Sequence, residues 1–324
     1  MQLHRRLLWI PALATLTCLL FSQLYPELPK MPISGYLHRP RREVVEYKSS
    51  RGFGQRLVKY RNFTFPVEYK DIIVHMNAYL RKPPEARVDD VWLINYPKSG
   101  THFLWEIVSM LVRNTLKMNP KEKERAMCPE LVLPDHVDNM ASPRVLNTHV
   151  PPRFFSTEAR NVSKFLYLIR NPKDVFVSYY FHRKNLSGFK GAFEDFLELV
   201  YRGHAGYGRW IDHVKDWLAV MKDKPNFLIV KYENLVKEPL SEVRKIAQFI
   251  GFKREESFYQ SLAIKCSFAN MKKHKVRKRQ KYELFYRNGT VGNWKNFFTT
   301  EQNLEFEKRL GEELKDLPFA LDFE

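Results

Sequence analysis

The sequence predicts an α/β fold, a single domain in which helices flank a central parallel sheet. Short apolar runs that fit buried strands alternate along the chain with amphipathic helical segments, an order typical of parallel sheets. With 324 residues, 44% of them hydrophobic and 14% aromatic, the chain can bury a large core. This composition excludes intrinsically disordered and collagen-like proteins, and three cysteines are too few for a disulfide scaffold.

Four apolar runs are the predicted strands of the sheet: residues 91–96, 144–147, 165–169 and 227–231. Helices are predicted at 102–114, from Asn171-Pro172 onward, and at 192–202, 208–221, 239–250 and from about 299. Asn171 fits a helix cap with Pro172 at the first helical position, and Gly251 fits a helix end. Thr299 and Gln302 have the spacing of a capping box.

Composition divides the chain into three parts. Residues 1–26 are a hydrophobic N-terminal segment, 27–60 a basic linker rich in Pro and Arg, and 61–324 a single folded domain. Because 7–26 carries no charge and no A-x-A cleavage site follows, we expect an uncleaved membrane anchor, with a cleaved signal or a soluble extension as alternatives. Four N-x-S/T sequons, at Asn62, Asn161, Asn185 and Asn288, point weakly towards a lumenal location.

The net charge of +18 is concentrated in two places. Residues 1–60 and residues 272–287 each carry a balance of +7, which leaves only +4 on the rest of the chain. Nucleic-acid-binding proteins usually spread charge along a face, so this pattern favours an anionic small ligand, or a membrane surface for the N-terminal cluster. The stretch 272–281 is interpreted either as a solvated loop or as a basic lid over a site for anions.

A candidate phosphate site lies where the first predicted strand meets a helix. Residues 96–101 read Tyr-Pro-Lys-Ser-Gly-Thr, which places a lysine, two hydroxyls and a glycine in a turn before a helix N-terminus. Helix N-termini bind anions through their N–H groups and the positive end of the helix dipole. The lysine precedes the glycine, so the segment is P-loop-like without being the nucleotide-triphosphate P-loop.

Three further polar segments follow the other predicted strands. His149 comes just after the second strand, Arg170 and Ser178 lie at the end of the third strand and in its helix, and Tyr232 follows the fourth. Ligands of open α/β sheets bind beyond the carboxyl ends of the strands, where these residues are expected. A fifth segment, 287–295, reads Arg-Asn-Gly-Thr-Val-Gly-Asn-Trp-Lys.

In this order and spacing, the five segments resemble the cytosolic sulfotransferase family over nearly all of residues 61–310. The resemblance implies an enzyme that transfers a sulfuryl group from 3′-phosphoadenosine 5′-phosphosulfate (PAPS) to a hydroxyl or amine of a small acceptor, without a metal. It implies catalytic roles for His149 as general base and for Lys98 and Ser178 at the leaving group. The cofactor-binding positions that it implies are Lys98, Ser99, Gly100, Thr101, His102, Phe103, Arg170, Ser178, Tyr232, Cys266, Phe268, Arg287, Asn288 and Gly289.

Several positions depart from the family pattern. Phe103 replaces a tryptophan, and His102 and Cys266 replace threonines. Asn147 and Asn288 each replace a lysine, which removes two positive charges from the region of the sulfuryl group and the 3′-phosphate. The family's dimer motif is altered in residues 295–304, so a homodimer is not expected.

We therefore predict a PAPS-dependent sulfotransferase with a small-molecule acceptor and no nucleic-acid partner. The alternatives are a membrane-tethered protein that binds PAPS or its product but transfers poorly, and a nucleotide kinase. The catalytic domain is expected in the cytoplasm, tethered to a membrane if 7–26 is an anchor, with the Golgi lumen as the alternative. The motifs do not distinguish phenol, steroid, iodothyronine and amine acceptors.

Overall fold

The computed structural model describes residues 42–119, 123–278 and 289–324. The predicted N-terminal segment 1–26 lies outside these residues, as do Arg287 and Asn288. Within the described ranges, no helix combines the length and the apolar character that crossing a membrane requires.

Three antiparallel strands begin the described chain. They are β1 (Glu43–Lys48), β2 (Gly54–Tyr60) and β3 (Phe63–Pro66), in the order β1-β2-β3. The prediction of a linker over 27–60 is therefore wrong for residues 43–60. The basic residues that suggested a linker, such as Arg56 and Lys59, are exposed, whereas Leu57 and Tyr60 on the same strand are buried. Alternating exposure of this kind is what a half-buried strand requires.

The central sheet has four parallel strands, which confirms the predicted fold class. They are β4 (Val91–Ile94), β5 (Val145–Thr148), β6 (Lys164–Ile169) and β7 (Phe227–Lys231). Their order across the sheet is β5-β4-β6-β7. Every residue of β4 and β5 is buried, as expected for parallel strands covered on both faces.

Helices connect the strands and cover the sheet. They are α1 (Ile72–Arg81), α2 (Thr101–Arg113), α3 (Pro134–Asp138), α4 (Thr157–Val162), α5 (Pro172–Leu186), α6 (Phe193–Tyr201), α7 (Trp210–Met221), α8 (Tyr232–Lys237), α9 (Pro239–Ile250), α10 (Glu256–Lys265), α11 (Phe268–Lys278) and α12 (Thr300–Lys315). Short 3₁₀ helices lie at Lys123–Ala126, Pro152–Phe154 and Asn293–Asn296.

The helix boundaries follow the predicted capping residues. The Asn171 side chain accepts the backbone N–H of Asp174, and Gly251 ends α9 in a left-handed conformation. Both halves of the predicted capping box of α12 are present between Thr299 and Gln302. Residues 272–278 are helical, so the interpretation of 272–281 as a loop is wrong for them. They belong to α11, in which the preceding residue, Met271, is fully buried.

Candidate functional site

A cleft with about 1170 Å³ of empty space, including space open to solvent, lies beyond the carboxyl ends of the parallel strands. Lys98 borders it after β4, His149 after β5 and Arg170 after β6. Most of the residues singled out in the sequence lie along this single cleft: Lys98, Gly100, Thr101, His102, Phe103, His149, Arg170, Ser178, Tyr232, Phe268 and Gly289.

Two other singled-out residues have side chains that make contacts away from the cleft lining. The Ser99 hydroxyl donates to the Tyr96 carbonyl at 2.8 Å, within its own turn. Cys266 is buried with its Sγ 4.0 Å from the Sδ of Met110. Ser99 and Cys266 therefore pack behind the cleft and do not line it.

The turn between β4 and α2 is held in one conformation by its own side chains. Thr101 Oγ1 donates to Asn95 Oδ1 at 2.8 Å, and Lys98 has a positive φ of 71°. Gly100 has a φ of 111°, and a Cβ at this position would lie 2.6 Å from Cδ2 of Tyr232. Glycine is therefore required here both by the backbone conformation and by the close approach of the tyrosine ring.

Aromatic rings and a guanidinium form one end of the cleft. The Arg170 guanidinium carbon lies 4.2 Å from the centre of the Tyr232 ring, whose edge-on neighbour is Phe103 at 6.1 Å between ring centres. Arg170 also donates to the carbonyls of Lys98 at 3.5 Å and Thr290 at 3.3 Å. Its Nε is buried without a hydrogen-bond partner among the described residues, so the group retains a donor for a ligand.

The loop at 289–296 closes this end of the cleft. Asp174, near the start of α5, accepts the backbone N–H groups of Gly292 at 3.1 Å and Trp294 at 2.8 Å. Gly289 has a φ of 68°, and a Cβ there would overlap the Phe268 ring. Ser178 lines the same cleft from α5.

His149 is held by hydrogen bonds that define its protonation. Its Nδ1 lies 2.8 Å from the Asn95 carbonyl oxygen, which only accepts, so Nδ1 carries the proton and Nε2 keeps its lone pair. The His149 carbonyl in turn accepts from His213 Nε2 at 3.1 Å, and the Tyr167 hydroxyl donates to His213 Nδ1 at 2.9 Å. Burial lowers the pKa of His149 well below its ordinary value, and the charge of Lys123 lowers it further.

Glu130 contacts the backbone of His149 and was not predicted from the sequence. Its two carboxylate oxygens accept the His149 backbone N–H at 2.6 Å and the Thr148 hydroxyl at 2.7 Å. Burial raises the pKa of Glu130 to about 7. The residue is remote in sequence from every recognised segment, so only the fold reveals its position.

Lys123 and Glu124, at the start of the first 3₁₀ helix, lie outside every recognised segment and form a buried cluster with His102. Lys123 Nζ and His102 Nε2 each lie 3.3 Å from Glu124 Oε1, and all three residues line the cleft. Burial, followed by the charge of Lys123, lowers the pKa of His102 to about 4, so its imidazole is neutral near pH 7. In the sequence this segment is a run of alternating charges, which usually indicates a solvated surface.

Comparison with known proteins agrees with this geometry. The family model described as "Sulfotransferase domain" matches residues 88–318. Sulfotransferase 1C2 of Homo sapiens is 36% identical over 249 residues, which cover 69% of this chain and 82% of that protein. Sulfotransferase 2A1 of Homo sapiens is 32% identical over 254 residues, covering 72% of this chain and 87% of that protein.

Among solved structures, the crystal structure of mouse sulfotransferase SULT7A1 complexed with PAP matches with a TM-score of 0.68 at 27% identity. It covers 81% of this chain and 96% of that chain. PAP is 3′-phosphoadenosine 5′-phosphate, which remains when PAPS has lost its sulfuryl group. Since the family model spans well over half of the chain, the protein belongs to the family of PAPS-dependent sulfotransferases and is a sulfotransferase enzyme.

Proposed function

We propose that the cleft binds PAPS and transfers its sulfuryl group to a hydroxyl or amine of a small acceptor, with His149 as the general base. The observation that carries this proposal is the hydrogen bond from His149 Nδ1 to the Asn95 carbonyl. It leaves Nε2 as a proton acceptor in the same cleft as Lys98. Burial keeps the imidazole neutral, which is the state that a base needs.

The cofactor would lie along the cleft from the turn after β4 to the loop at 289–296. The 5′-phosphosulfate is assigned to the N-terminus of α2, where the turn 98–101 and the helix dipole favour an anion. Arg170, Ser178 and Gly289 are assigned to the 3′-phosphate, and Phe103, Tyr232 and Phe268 to the adenine. The unpaired Nε of Arg170 supports an anion at this end of the cleft, and the PAP in the mouse relative supports a ligand of this chemical class.

In the transfer step, a bond forms between the acceptor oxygen or nitrogen and sulfur while the bond between sulfur and the bridging oxygen breaks. The electron pair of the broken bond stays on the 5′-phosphate, beside which Lys98 supplies positive charge. The acceptor proton moves to Nε2 of His149. Glu130 holds the backbone of His149 in place during this step.

The acceptor would occupy the rest of the cleft, part of which is lined by aromatic and aliphatic side chains. Its remaining lining includes Tyr69, Met127, Leu131, Leu186 and Tyr207. The Tyr207 ring meets the His149 imidazole edge-on, with 5.4 Å between ring centres. Aromatic and aliphatic surface next to the base supports an acceptor that presents its hydroxyl or amine from an apolar body.

Cofactor binding is tested first by thermal unfolding of the full chain with PAP, 5′-AMP or ATP. A ligand that binds only the folded state raises its stability with concentration, so a shift with PAP that exceeds those of the other two identifies a 3′-phosphate site. Arg170→Ala should remove most of the PAP shift. Equal shifts with PAP and 5′-AMP would contradict the assignment of the 3′-phosphate.

The base is tested by His149→Ala with PAPS and a panel of phenols, steroids and amines. We expect kcat to fall about 10²- to 10⁴-fold while the PAP shift is retained, because the substitution removes a proton acceptor and leaves the anion contacts. His204→Ala, at a half-buried ring stacked on Tyr47, is the matched control. Unchanged turnover in His149→Ala would exclude it as the base, and tight PAP binding without turnover in the wild type would favour the binding-protein alternative.

A further inference from the structure

A second lysine reaches the cleft from outside the recognised segments. Lys123 lines the cleft together with Lys98 and His149, and only 7% of its surface is exposed. Its Nζ lies 3.3 Å from Glu124 Oε1 and 4.0 Å from the Sδ of Met127. A lysine is rarely buried to this extent unless a partner keeps it charged, and Glu124 is that partner.

The backbone of Lys123 is fixed to the strand that leads to His149. Asn147 Nδ2 donates to the Lys123 carbonyl at 2.8 Å, and the backbone N–H of Cys128 donates to the Asn147 carbonyl at 3.2 Å. Met127 also forms an isolated parallel bridge with Asn147. The segment that carries Lys123 therefore runs beside β5 and contacts it at Asn147, which precedes His149 by two residues.

Lys123 and the proposed base line the same cleft and interact electrostatically. Among the charged groups that lower the pKa of His149, Lys123 has a larger effect than His213 or Lys98. Lys123 also favours the ionised form of Glu124, which is buried, and it opposes protonation of His102. The charge of Lys123 therefore acts on His149, at the part of the cleft where the acceptor would lose its proton.

We propose that the Lys123 ammonium is a second cation of the transfer site and stabilises the negative charge of the sulfuryl oxygens as they pass from donor to acceptor. The proposal rests on the proposed function. Lys123 keeps its protons throughout, while the acceptor proton goes to His149 and the leaving electron pair to the 5′-phosphate. Asn147 in β5 stands where the family pattern has a lysine. Its side chain instead holds the backbone of Lys123, which supplies a positive charge to the cleft.

The test compares Lys123→Met and Lys123→Arg with the wild type in full-length protein. Lys123→Met should lower kcat about 10²-fold, the typical loss when one donor to a developing negative charge is removed. Lys123→Arg should retain much of kcat, because the charge is kept. Lys190→Met, at an exposed lysine, is the control and should leave kcat unchanged.

A pH profile separates this role from a purely structural one. In Lys123→Met, the acidic limb of kcat/KM should move to higher pH, because loss of a nearby positive charge raises the pKa of His149. The other groups that act on His149, namely Lys98, His213 and Glu130, are the same in both proteins. Lys123→Arg keeps the charge and should leave this limb at its wild-type pH, whereas an equal move in Lys123→Arg would assign the effect to altered packing and overturn the role of the charge.

The outcomes distinguish the two proposals. If the wild type shows neither a PAP shift nor turnover, the proposed function fails. If the wild type turns over and Lys123→Met, with its PAP shift intact, keeps kcat within threefold of it, the role of Lys123 is overturned. If Lys123→Met does not fold, Lys123→Gln, which keeps a polar group of similar length without the charge, is subject to the same criterion.

Discussion

Gly100, which carries only a hydrogen where other residues have a Cβ, links the turn after β4 to the Tyr232 wall of the cleft. Its φ of 111° suits glycine, and the Tyr232 ring lies where a Cβ would be. Tyr232 in turn stacks with the Arg170 guanidinium. A single hydrogen at position 100 thus allows the turn, the ring and the guanidinium to lie side by side.

Gly100→Ala should therefore lower stability and PAP affinity together. The left-handed conformation alone costs about 1–2 kcal/mol for a residue with a Cβ, and the 2.6 Å contact adds displacement of Tyr232. Gly52→Ala is the control, since Gly52 also has a positive φ of 86° but has nothing within 4 Å of its Cβ position. The measurement is the urea midpoint and the PAP thermal shift of both variants. Equal losses in the two variants would show that the Tyr232 contact has no separate effect.

At the scale of elements, Asp174 joins α5 to the loop at 289–296. Its carboxylate accepts two backbone N–H groups of that loop and lies 3.4 Å from the Arg170 guanidinium. The same residue donates its own N–H to Asn171 at the cap of α5. The loop that covers one end of the cleft is therefore anchored at the start of a helix, next to the proposed 3′-phosphate site.

Asp174→Ala should weaken PAP binding at least tenfold, because the loop N–H groups lose their acceptors and Arg170 loses its orienting partner. Isothermal titration with PAP measures the effect. Asp216→Ala, which removes a surface carboxylate 3.5 Å from Arg153, is the control and should bind PAP like the wild type. An unchanged PAP affinity in Asp174→Ala would show that the loop does not contribute to the site.

At the scale of the whole molecule, the interior holds histidines that the fold keeps neutral. Burial is the first cause that lowers the pKa of each of them: His75, His102, His149, His182 and His213. In the unfolded chain these groups take up protons below about pH 6.5. Their contribution to stability is therefore complete above pH 6.5 and decreases as the pH falls below it.

The free energy of unfolding should consequently fall steeply between pH 6.5 and pH 5. Each histidine that stays neutral only in the folded state contributes a slope of about 1.4 kcal/mol per pH unit. Glu130 acts in the opposite direction, because its pKa is raised to about 7 and the fold favours its protonated form between about pH 4.5 and 7. Urea unfolding across this range measures the balance. Stability that is constant or that increases towards pH 5 would contradict the prediction.

The parallel α/β architecture, most helix starts and the segments that approach the cleft could be predicted from local sequence patterns. Buried runs, capping residues and strand-to-helix turns are local signals, so their meaning does not depend on distant residues. Thr299 with Gln302 is one such signal, and Gly251 is another. The strands within 43–60 could not be predicted in the same way. Their exposed basic residues made the segment resemble a linker, although buried residues alternate with them.

Which charged residues lie at the cleft and beside His149 depends on contacts between segments that are distant in the sequence. Lys123 and Glu124 come from a run of alternating charges that resembles a solvated surface, and Glu130 comes from the apolar stretch after it. The fold buries all three, with Lys123 and Glu124 in the cleft lining and Glu130 at the His149 backbone. Their positions depend on pairing with β5 through Asn147 and Thr148, contacts between residues 18 to 24 positions apart. A buried charged or polar group is stable only when partners compensate it, and the sequence does not show that Asn147 and Thr148 hold these residues in place.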